Sequence, residues 1–357
     1  MNKFMKRWLL MLVTVGAVWG GVASQNAQAA NSSSSSSSAS NNIGYSVAAE
    51  IPKNQINKKN SFFDLKMTMR QTQTLKAVLY NSSNKELKIA TAIHTAYTNS
   101  NGLIEYINTT KTYDQSLEYK MSNITKLNTK TVTVPANGSK VVTAQVTMPS
   151  GNFNGVILGG WYFKRIDDKV TGSVKGSMNI KNEYSYVIGM KYTVGKAVTP
   201  NMKLTKVKAG LENYHKGIFP YLQNPTAVII PNLTIKSTIT DKQTGKTVKT
   251  AKKTGVQMAP NSTFRYPLLL GKTELQAGKY HIKMVVKNTD YTWTFNQDFT
   301  ISQKDAKTYN KKAVDNSGIN IWWLIGLGAL AMLIIILIIG LIIYFIIKKR
   351  RQKDSDD

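Results

Sequence analysis

The sequence predicts an all-β protein: two tandem immunoglobulin-like β-sandwich domains followed by one transmembrane α-helix. Three observations carry that prediction. From Ile43 to about Ser302, short runs alternate apolar and polar residues with period two and are broken by Asn, Gly, Pro and Ser clusters. That stretch of roughly 260 residues exceeds one ordinary sandwich and suits two of about 100 to 130 each. Finally, 27 residues from Ile321 to Ile347 carry no charge and are bounded by a basic cluster.

The N-terminus comes first. Lys3, Lys6 and Arg7 precede an apolar run from Trp8 to Val22, and Ala27-Gln28-Ala29 places small residues where a signal peptidase reads. Residues 1–29 read as a secretory signal peptide. The Ser/Asn-rich segment 30–42 follows as a flexible polar linker, too poor in apolar residues to fold.

The first domain is placed at 43–165. Leu75, Ala77 and Leu79 share one face with Lys76 between them, Leu87, Ile89 and Ile93 share another, and Val142, Ala144, Val146 and Met148 oppose Thr143, Gln145 and Thr147. The polar, glycine-bearing stretch 166–181 reads as a linker. The second domain is placed at 182–302, with YSYVIGMKYTV at 184–194 opening it or bridging the two. There Leu233, Ile235 and Ile239 alternate with Thr234, Lys236 and Thr240, Tyr280, Ile282, Met284 and Val286 share a face, and so do Trp293, Phe295, Phe299 and Ile301. DKQTGKTV at 241–248 reads as a hairpin turning near Gly245. Residues 303–320 read as a stalk, lysine- and asparagine-rich over most of its length.

The apolar segment 321–347 would be about 40 Å long as a helix, against a hydrocarbon core of roughly 30 Å. Trp322 and Trp323 sit where an interfacial aromatic belt belongs, and Lys348, Lys349, Arg350, Arg351 and Lys353 place the tail 348–357 in the cytoplasm by the positive-inside rule. The expectation is a single-pass type I protein of the cell membrane with its ectodomain in the cell wall. KKAVDNSGIN at 311–320 contains no Leu-Pro-x-Thr-Gly sorting signal, so membrane retention is the better reading.

Charge and cysteine content narrow the chemistry. The chain of 357 residues has 47 basic and 19 acidic residues, a net +28, and no cysteine. Disulfide modules and Cys-ligated metals are excluded, and three histidines make a His-built site improbable. Setting aside three basic residues of the signal and five basic and three acidic residues of the tail leaves 39 against 16, so +23 lies outside the cell. Nucleic acid drops out as a partner. The surplus has two readings: ordinary solubilising lysines on strand faces, or affinity for an anionic wall polymer such as teichoic acid.

No catalytic constellation emerges. His94 and His281 fall on polar strand faces, and His215 reads as a loop residue without a paired carboxylate at ligand spacing. There is no Gly-x-Ser-x-Gly elbow and no phosphate-binding glycine loop. Asp167-Asp168 is the most conspicuous acidic pair, but neighbours along an extended chain point opposite ways, so it reads as solvated linker. The expectation is no enzyme, no cofactor and no metal.

In the first domain, IPKNQIN at 51–57, FFDLKM at 62–67, TAYTNSNGLIEY at 95–106 and GVILGGWYF at 155–163 stand in order. They resemble the peptidoglycan-binding domain of the WxL-interacting protein family of Gram-positive cell surfaces. SYVIGMKYTVG at 185–195, MAPNSTFRYPLLL at 258–270, LQAGKYHIKM at 275–284 and WTFNQDFTI at 293–301 resemble that family's second, host-binding domain. The resemblance implies attachment to peptidoglycan by the first domain, contact with surface proteins that carry a WxL domain, and contact with host matrix proteins. A scaffold holding WxL proteins at the wall is the first functional expectation, and an adhesin binding host matrix through the second domain is the alternative. Trp8-Leu9-Leu10 and Trp322-Trp323-Leu324 fit the Trp-x-Leu string but lie in membrane-targeting segments, so this chain reads as the receptor. One departure stands out: Met69-Arg70 occupies the place of the family's usual Pro-Gly, which predicts a differently shaped turn.

Within that frame, Pro52, Asn54, Gln55 and Asn57 are candidate peptidoglycan readers, because Asn and Gln offer donors and acceptors to hydroxyls and amides while Pro52 stiffens the backbone. The plain alternative is a polar turn. Asn99 and Asn101 have the same double reading, as a turn or as a polar loop at the same end of the sandwich. Gly155, Gly159 and Gly160 read as structural glycines marking a bulge or close backbone approach, and Trp161 reads as core, with sugar stacking as its alternative.

Overall fold

The computed structural model describes residues 44–107, 112–166, 184–315 and 321–353; the expected signal peptide, the 30–42 linker and Asp167-Asp168 lie outside them. The first sandwich packs two sheets on one core. One has the order β1 (Tyr45–Glu50), β3 (Thr72–Asn81), β9 (Ser139–Thr147), β7 (Thr125–Leu127). The other has the order β2 (Phe63–Met67), β11 (Ser185–Val194), β10 (Gly155–Arg165), β4 (Leu87–Thr95), β8 (Thr131–Val134). Alternation does what the pleat requires: Leu75, Ala77 and Leu79 of β3 and Val142, Ala144 and Val146 of β9 enter the core, while Lys76 stays outside. Trp161 is fully buried, donates its indole N–H to Thr91 Oγ1 at 2.5 Å, and stacks with Phe63 and Phe163. A ring of that size buries enough apolar area for about 5 kcal/mol of gross transfer free energy, so its place is structural.

The strand Ser185–Val194, expected to open the second domain or bridge the two, belongs to the first sandwich. It lies antiparallel to β10 from Gly155↔Val194 to Lys164↔Ser185 and parallel to β2 from Phe63↔Met190 to Met67↔Val194. Ile188, Met190, Tyr192 and Val194 complete the first core. The physical reason is that its alternation fits either core, and the open flank of β10 is the surface that takes it.

The second sandwich begins at β12 (Lys203–Glu212), which pairs with β13 (His215–Asn224); β13 also pairs with β16 (Ser262–Arg265) and β17 (Leu268–Leu269). The facing sheet has the order β15 (Thr247–Met258), β14 (Ile230–Asp241), β18 (Gly278–Lys287), β19 (Thr292–Ile301). Ile235, Ile239, Ile282, Met284 and Val286 meet Ile218, Leu222 and Phe264 in its core. The β14–β15 hairpin closes at Gly245, whose φ of 69° explains the residue. A one-turn helix α1 (Met121–Ile124) lies in the first sandwich.

Residues 303–320 do not begin as a stalk. A helix α2 (Gln303–Lys312) starts at an N-cap, Ser302 Oγ accepting from Asp305 N at 3.0 Å, and buries Ala306. Asn310 clamps it to the second sandwich, accepting from Leu275 N and donating to Leu275 O, both at 2.9 Å. The helix α3 (Ile321–Lys353) follows, of which Trp323–Lys348 is apolar and long enough to cross a membrane.

The sandwiches share a small third core of Ala96, Leu158 and Ala259. Val156 N donates to Ala227 O at 2.7 Å, and a Cβ on Gly155, itself at φ 122°, would stand 2.2 Å from that oxygen.

Candidate functional site

The 51–57 loop connects β1 to β2 and covers the open edge of β2. Ile56 N donates to Asp64 O at 2.6 Å, Lys66 N donates to Asn54 O at 3.0 Å, and Gln55 bridges to Leu65. Gln55 is buried; its amide donates to Asn57 O at 3.2 Å and Phe62 O at 2.8 Å while accepting from Asp64 N at 3.0 Å. Asp64 is buried beside it and ion-paired with Lys191 at 3.0 Å. Asn54 is paired with Gln73 and also donates to Lys66 O at 2.9 Å. Both amides are therefore engaged inside the fold. Asn57 is exposed, its Oδ1 accepting from Lys59 N at 3.0 Å, and Pro52 O accepts from Gln55 N at 3.2 Å.

Beside this loop lies a hollow of about 630 Å³ lined by Val47, Ile51, Phe62, Tyr106 and Val187. Its volume falls in the range of small-ligand sites, roughly 300 to 1,000 Å³. Its floor depends on Gly160, where a Cβ would meet Val187 Cγ1 at 2.6 Å and Tyr106 Cβ at 2.9 Å. Burial pushes the Tyr106 hydroxyl above the ordinary phenol range, so it stays protonated and can donate.

Asn99 and Asn101 sit in the turn between β5 (Tyr97–Thr98) and β6 (Ile104–Glu105). Asn99 Oδ1 accepts from Asn101 N at 3.0 Å and Leu103 N at 3.1 Å, and its amide donates to Glu105 at 2.9 Å. This hairpin docks on the second sandwich: Gln257 N donates to Gly102 O at 2.8 Å, Ala259 N donates to Thr98 Oγ1 at 3.0 Å, and Thr98 Oγ1 meets Ser262 Oγ at 2.7 Å. Among the described residues no hydrogen bond joins Asn99 or Asn101 to the 51–57 loop. Tyr106, just past the same hairpin, is what borders the hollow.

A second cleft, about 450 Å³, opens at the junction between Tyr97, Tyr113 and Asp114 of the first sandwich and Tyr221, Gln223 and Thr263 of the second. Burial alone would raise the Asp114 carboxyl, but hydrogen bonds from Thr263, Ser116 and Gln223 outweigh it and hold the group below the usual carboxylate range. Lys206 lies 4.5 Å over the Tyr221 ring. Sequence reasoning did not find this cleft, because Gln223 and Thr263, the partners of Asp114 from the second sandwich, stand more than a hundred residues away.

One histidine differs from expectation: His215 begins a strand and is paired, Nδ1 lying 2.6 Å from Asp315 Oδ1. His281 lies on the outer face of β18 as read, its Nδ1 2.7 Å from Asp298. Hairpin pairing across β12–β13 makes His215 a strand residue, and α2 brings Asp315 to it. Among the described residues no group of three His, Asp or Glu could hold a metal ion.

Two family descriptions match the chain in tandem: the WxL Interacting Protein peptidoglycan binding domain over residues 45–165, and the WxL Interacting Protein host binding domain over residues 175–311. The chain belongs to the WxL-interacting protein family. Its matched regions are binding domains, which makes it a cell-surface binding protein. The second WxL-interacting match includes β11, which the fold places in the first sandwich, and extends into α2. No curated protein matches the chain. Among solved structures it is similar to the Escherichia coli chaperone DraB (15% identity, covering 72% of this chain and 98% of that one, TM-score 0.26). It is also similar to the Pseudomonas aeruginosa CupB2 chaperone (10% identity, 66% and 97%, TM-score 0.25).

Proposed function

We propose that this WxL-interacting protein is a non-enzymatic scaffold, anchored in the membrane by α3, that grips peptidoglycan with its first sandwich and holds WxL-domain surface proteins at the wall. The observation that supports it best is the order of parts: a peptidoglycan-binding match, a host-binding match and one apolar helix in a single chain. The peptidoglycan surface is the hollow between Ile51, Phe62 and Tyr106. There Phe62 and Tyr106 offer aromatic faces to a sugar or to the methyls of a stem peptide. Pro52 and Asn57, in the loop beside it, are candidates for further contacts with the glycan, Asn54 and Gln55 shape that loop from within, and the lysine surplus favours residence among teichoic acids. Asn99 and Asn101 serve the same first sandwich by holding the hairpin that leads to Tyr106.

The test is co-sedimentation of the detergent-solubilised chain with purified sacculi at moderate salt. Binding is expected, with loss on Phe62→Ser combined with Tyr106→Ser; full retention in that variant overturns the assignment of the hollow. Capture of secreted WxL-domain proteins by the same material tests the partner.

A second reading, an adhesin in which the second sandwich binds host matrix protein, is favoured by the host-binding match over 175–311. Matrix binding without affinity for any WxL-domain protein would establish it in place of the scaffold.

A further inference from the structure

We infer that the end of the second sandwich remote from the first rests on the membrane surface, with Tyr214 and Val314 entering the interfacial layer and the lysines of α2 facing anionic headgroups. This rests on the reading of α3 as a membrane span.

Three observations meet at that end. The first is the tip of the β12–β13 hairpin, Asn213-Tyr214. Both residues have positive φ, 48° and 64°, the pattern of a two-residue turn whose second place ordinarily goes to glycine. A bulky residue there carries a conformational cost, yet Tyr214 is 68% exposed and anchors nothing in the core. An aromatic held in solvent at a strained tip is suited to an interface with a polar rim and an apolar interior, where tyrosine partitions.

The second is Val314, 64% exposed, whose N–H donates to Tyr214 O at 3.0 Å. The two exposed side chains are therefore neighbours, fixed together by backbone. Asp315 continues the clamp, accepting from His215 and from Lys216 N at 3.2 Å.

The third is chain length. Five residues, 316–320, separate Asp315 from Ile321, the first residue of α3. Six Cα steps reach at most about 20 Å, so a clamped Asp315 cannot stand farther than that from the head of the apolar helix. Lys304, Lys307, Lys311 and Lys312 of α2 are all exposed, against one acid, Asp305, in that helix, so its free face complements an anionic lipid surface. The junction with the first sandwich lies at the opposite end, at Gln257, Ala259 and Ser262, so contact with lipid at the Tyr214 end leaves that junction uncovered.

The chain contains no cysteine, so a single introduced one labels cleanly. The full-length protein is reconstituted in phosphatidylglycerol–phosphatidylethanolamine vesicles doped with lipids spin-labelled at the headgroup and along the acyl chain, and a fluorophore is placed at Tyr214→Cys, Val314→Cys, Asn84→Cys or Leu330→Cys. Quenching is expected at 214, 314 and 330 and absent at 84, which belongs to the far end of the first sandwich. Charge reversal of Lys304, Lys307 and Lys311 to Glu is expected to remove the quenching at 314 in anionic vesicles. Labels at 214 and 314 as unquenched as the one at 84, with 330 quenched, overturn the proposal while leaving the anchor intact. An unquenched 330 label overturns the anchor and the proposal together. Shielding of 214 that depends on protein density rather than on quencher lipid would assign the tip to a second copy and also overturn it.

Discussion

Asn54 and Gln73 face each other with both amides paired: Asn54 Nδ2 donates to Gln73 Oε1 at 2.9 Å, and Gln73 Nε2 donates back to Asn54 Oδ1 at 2.8 Å. That reciprocity converts a residue chosen for its capacity to read a ligand into one that fastens a loop to the neighbouring sheet. Gln55 next to it does the same for the edge of β2.

The first prediction separates these roles. Gln55→Leu leaves Asp64 N and Phe62 O without partners in a buried site and is expected to destabilise the first sandwich by about 2 to 4 kcal/mol. Asn54→Ala, in a half-buried pair, is expected to cost about 1 kcal/mol. Asn57→Ala should leave stability within about 0.5 kcal/mol while weakening sacculus binding. Urea denaturation and co-sedimentation on the same preparations check all three.

A second prediction concerns the turn at 68–71, which carries Met69-Arg70 where the resemblance implies Pro-Gly. The turn closes through Gln71 N to Thr68 O at 3.2 Å, and Arg70 has a φ of 64°. The backbone thus keeps a left-handed residue despite the side chain. Arg70→Gly removes the steric cost and is expected to stabilise by about 1 kcal/mol, seen as a rise of a few degrees in Tm. A fall in Tm would mean that the guanidinium makes a compensating contact.

These cases show what was legible in the sequence. The strands β3, β9, β14 and β18 could be read directly, because period-two alternation is a local property. The core that β11 joins could not, since Ile188, Met190, Tyr192 and Val194 would suit either sandwich. Helix α2 resembled a stalk because QKDAKTYNKK has so few apolar residues; its docking depends on Asn310 meeting Leu275, 35 residues away. At the site, amide-bearing residues were visible as types, but whether an amide is free or engaged is decided by partners such as Gln73. The aromatic pair Phe62 and Tyr106 meets only through the fold.

The third prediction is a pH dependence of the junction. The Asp114 carboxyl is held below its ordinary value in the folded chain, burial notwithstanding, by donors from both sandwiches. A depressed carboxylate contributes stability that is complete above its unfolded pKa, about 3.9, and is lost as pH falls through the lower folded value. The sandwiches should therefore unfold as one unit from neutral pH down to about pH 4 and uncouple below it. Asp114→Asn is expected to flatten this acid limb and to lower stability at neutral pH. Calorimetry across pH 2 to 7 checks it; an unchanged acid limb in the variant would assign the effect to other carboxylates.

The last prediction uses two adjacent glycines as opposed probes. At Gly159 an added Cβ would stand 2.4 Å from His94 O and 2.6 Å from Met121 Cβ, on the core side of β10, where a backbone carbonyl cannot retreat. At Gly160 it would meet Val187 Cγ1 at 2.6 Å and Tyr106 Cβ at 2.9 Å, on the outer side, where the segment carrying Tyr106 can lift. Gly159→Ala is expected to be the more destabilising, at or above the about 1 to 3 kcal/mol typical of overpacking, and Gly160→Ala the less. Binding should rank the other way. Once corrected for the folded fraction, Gly159→Ala should bind sacculi as the unaltered chain does, whereas Gly160→Ala should bind weakly because Tyr106 no longer borders the hollow. If the folded Gly160→Ala variant bound sacculi undiminished, the position of Tyr106 would not matter to the glycan, and the binding surface would have to be sought away from this hollow.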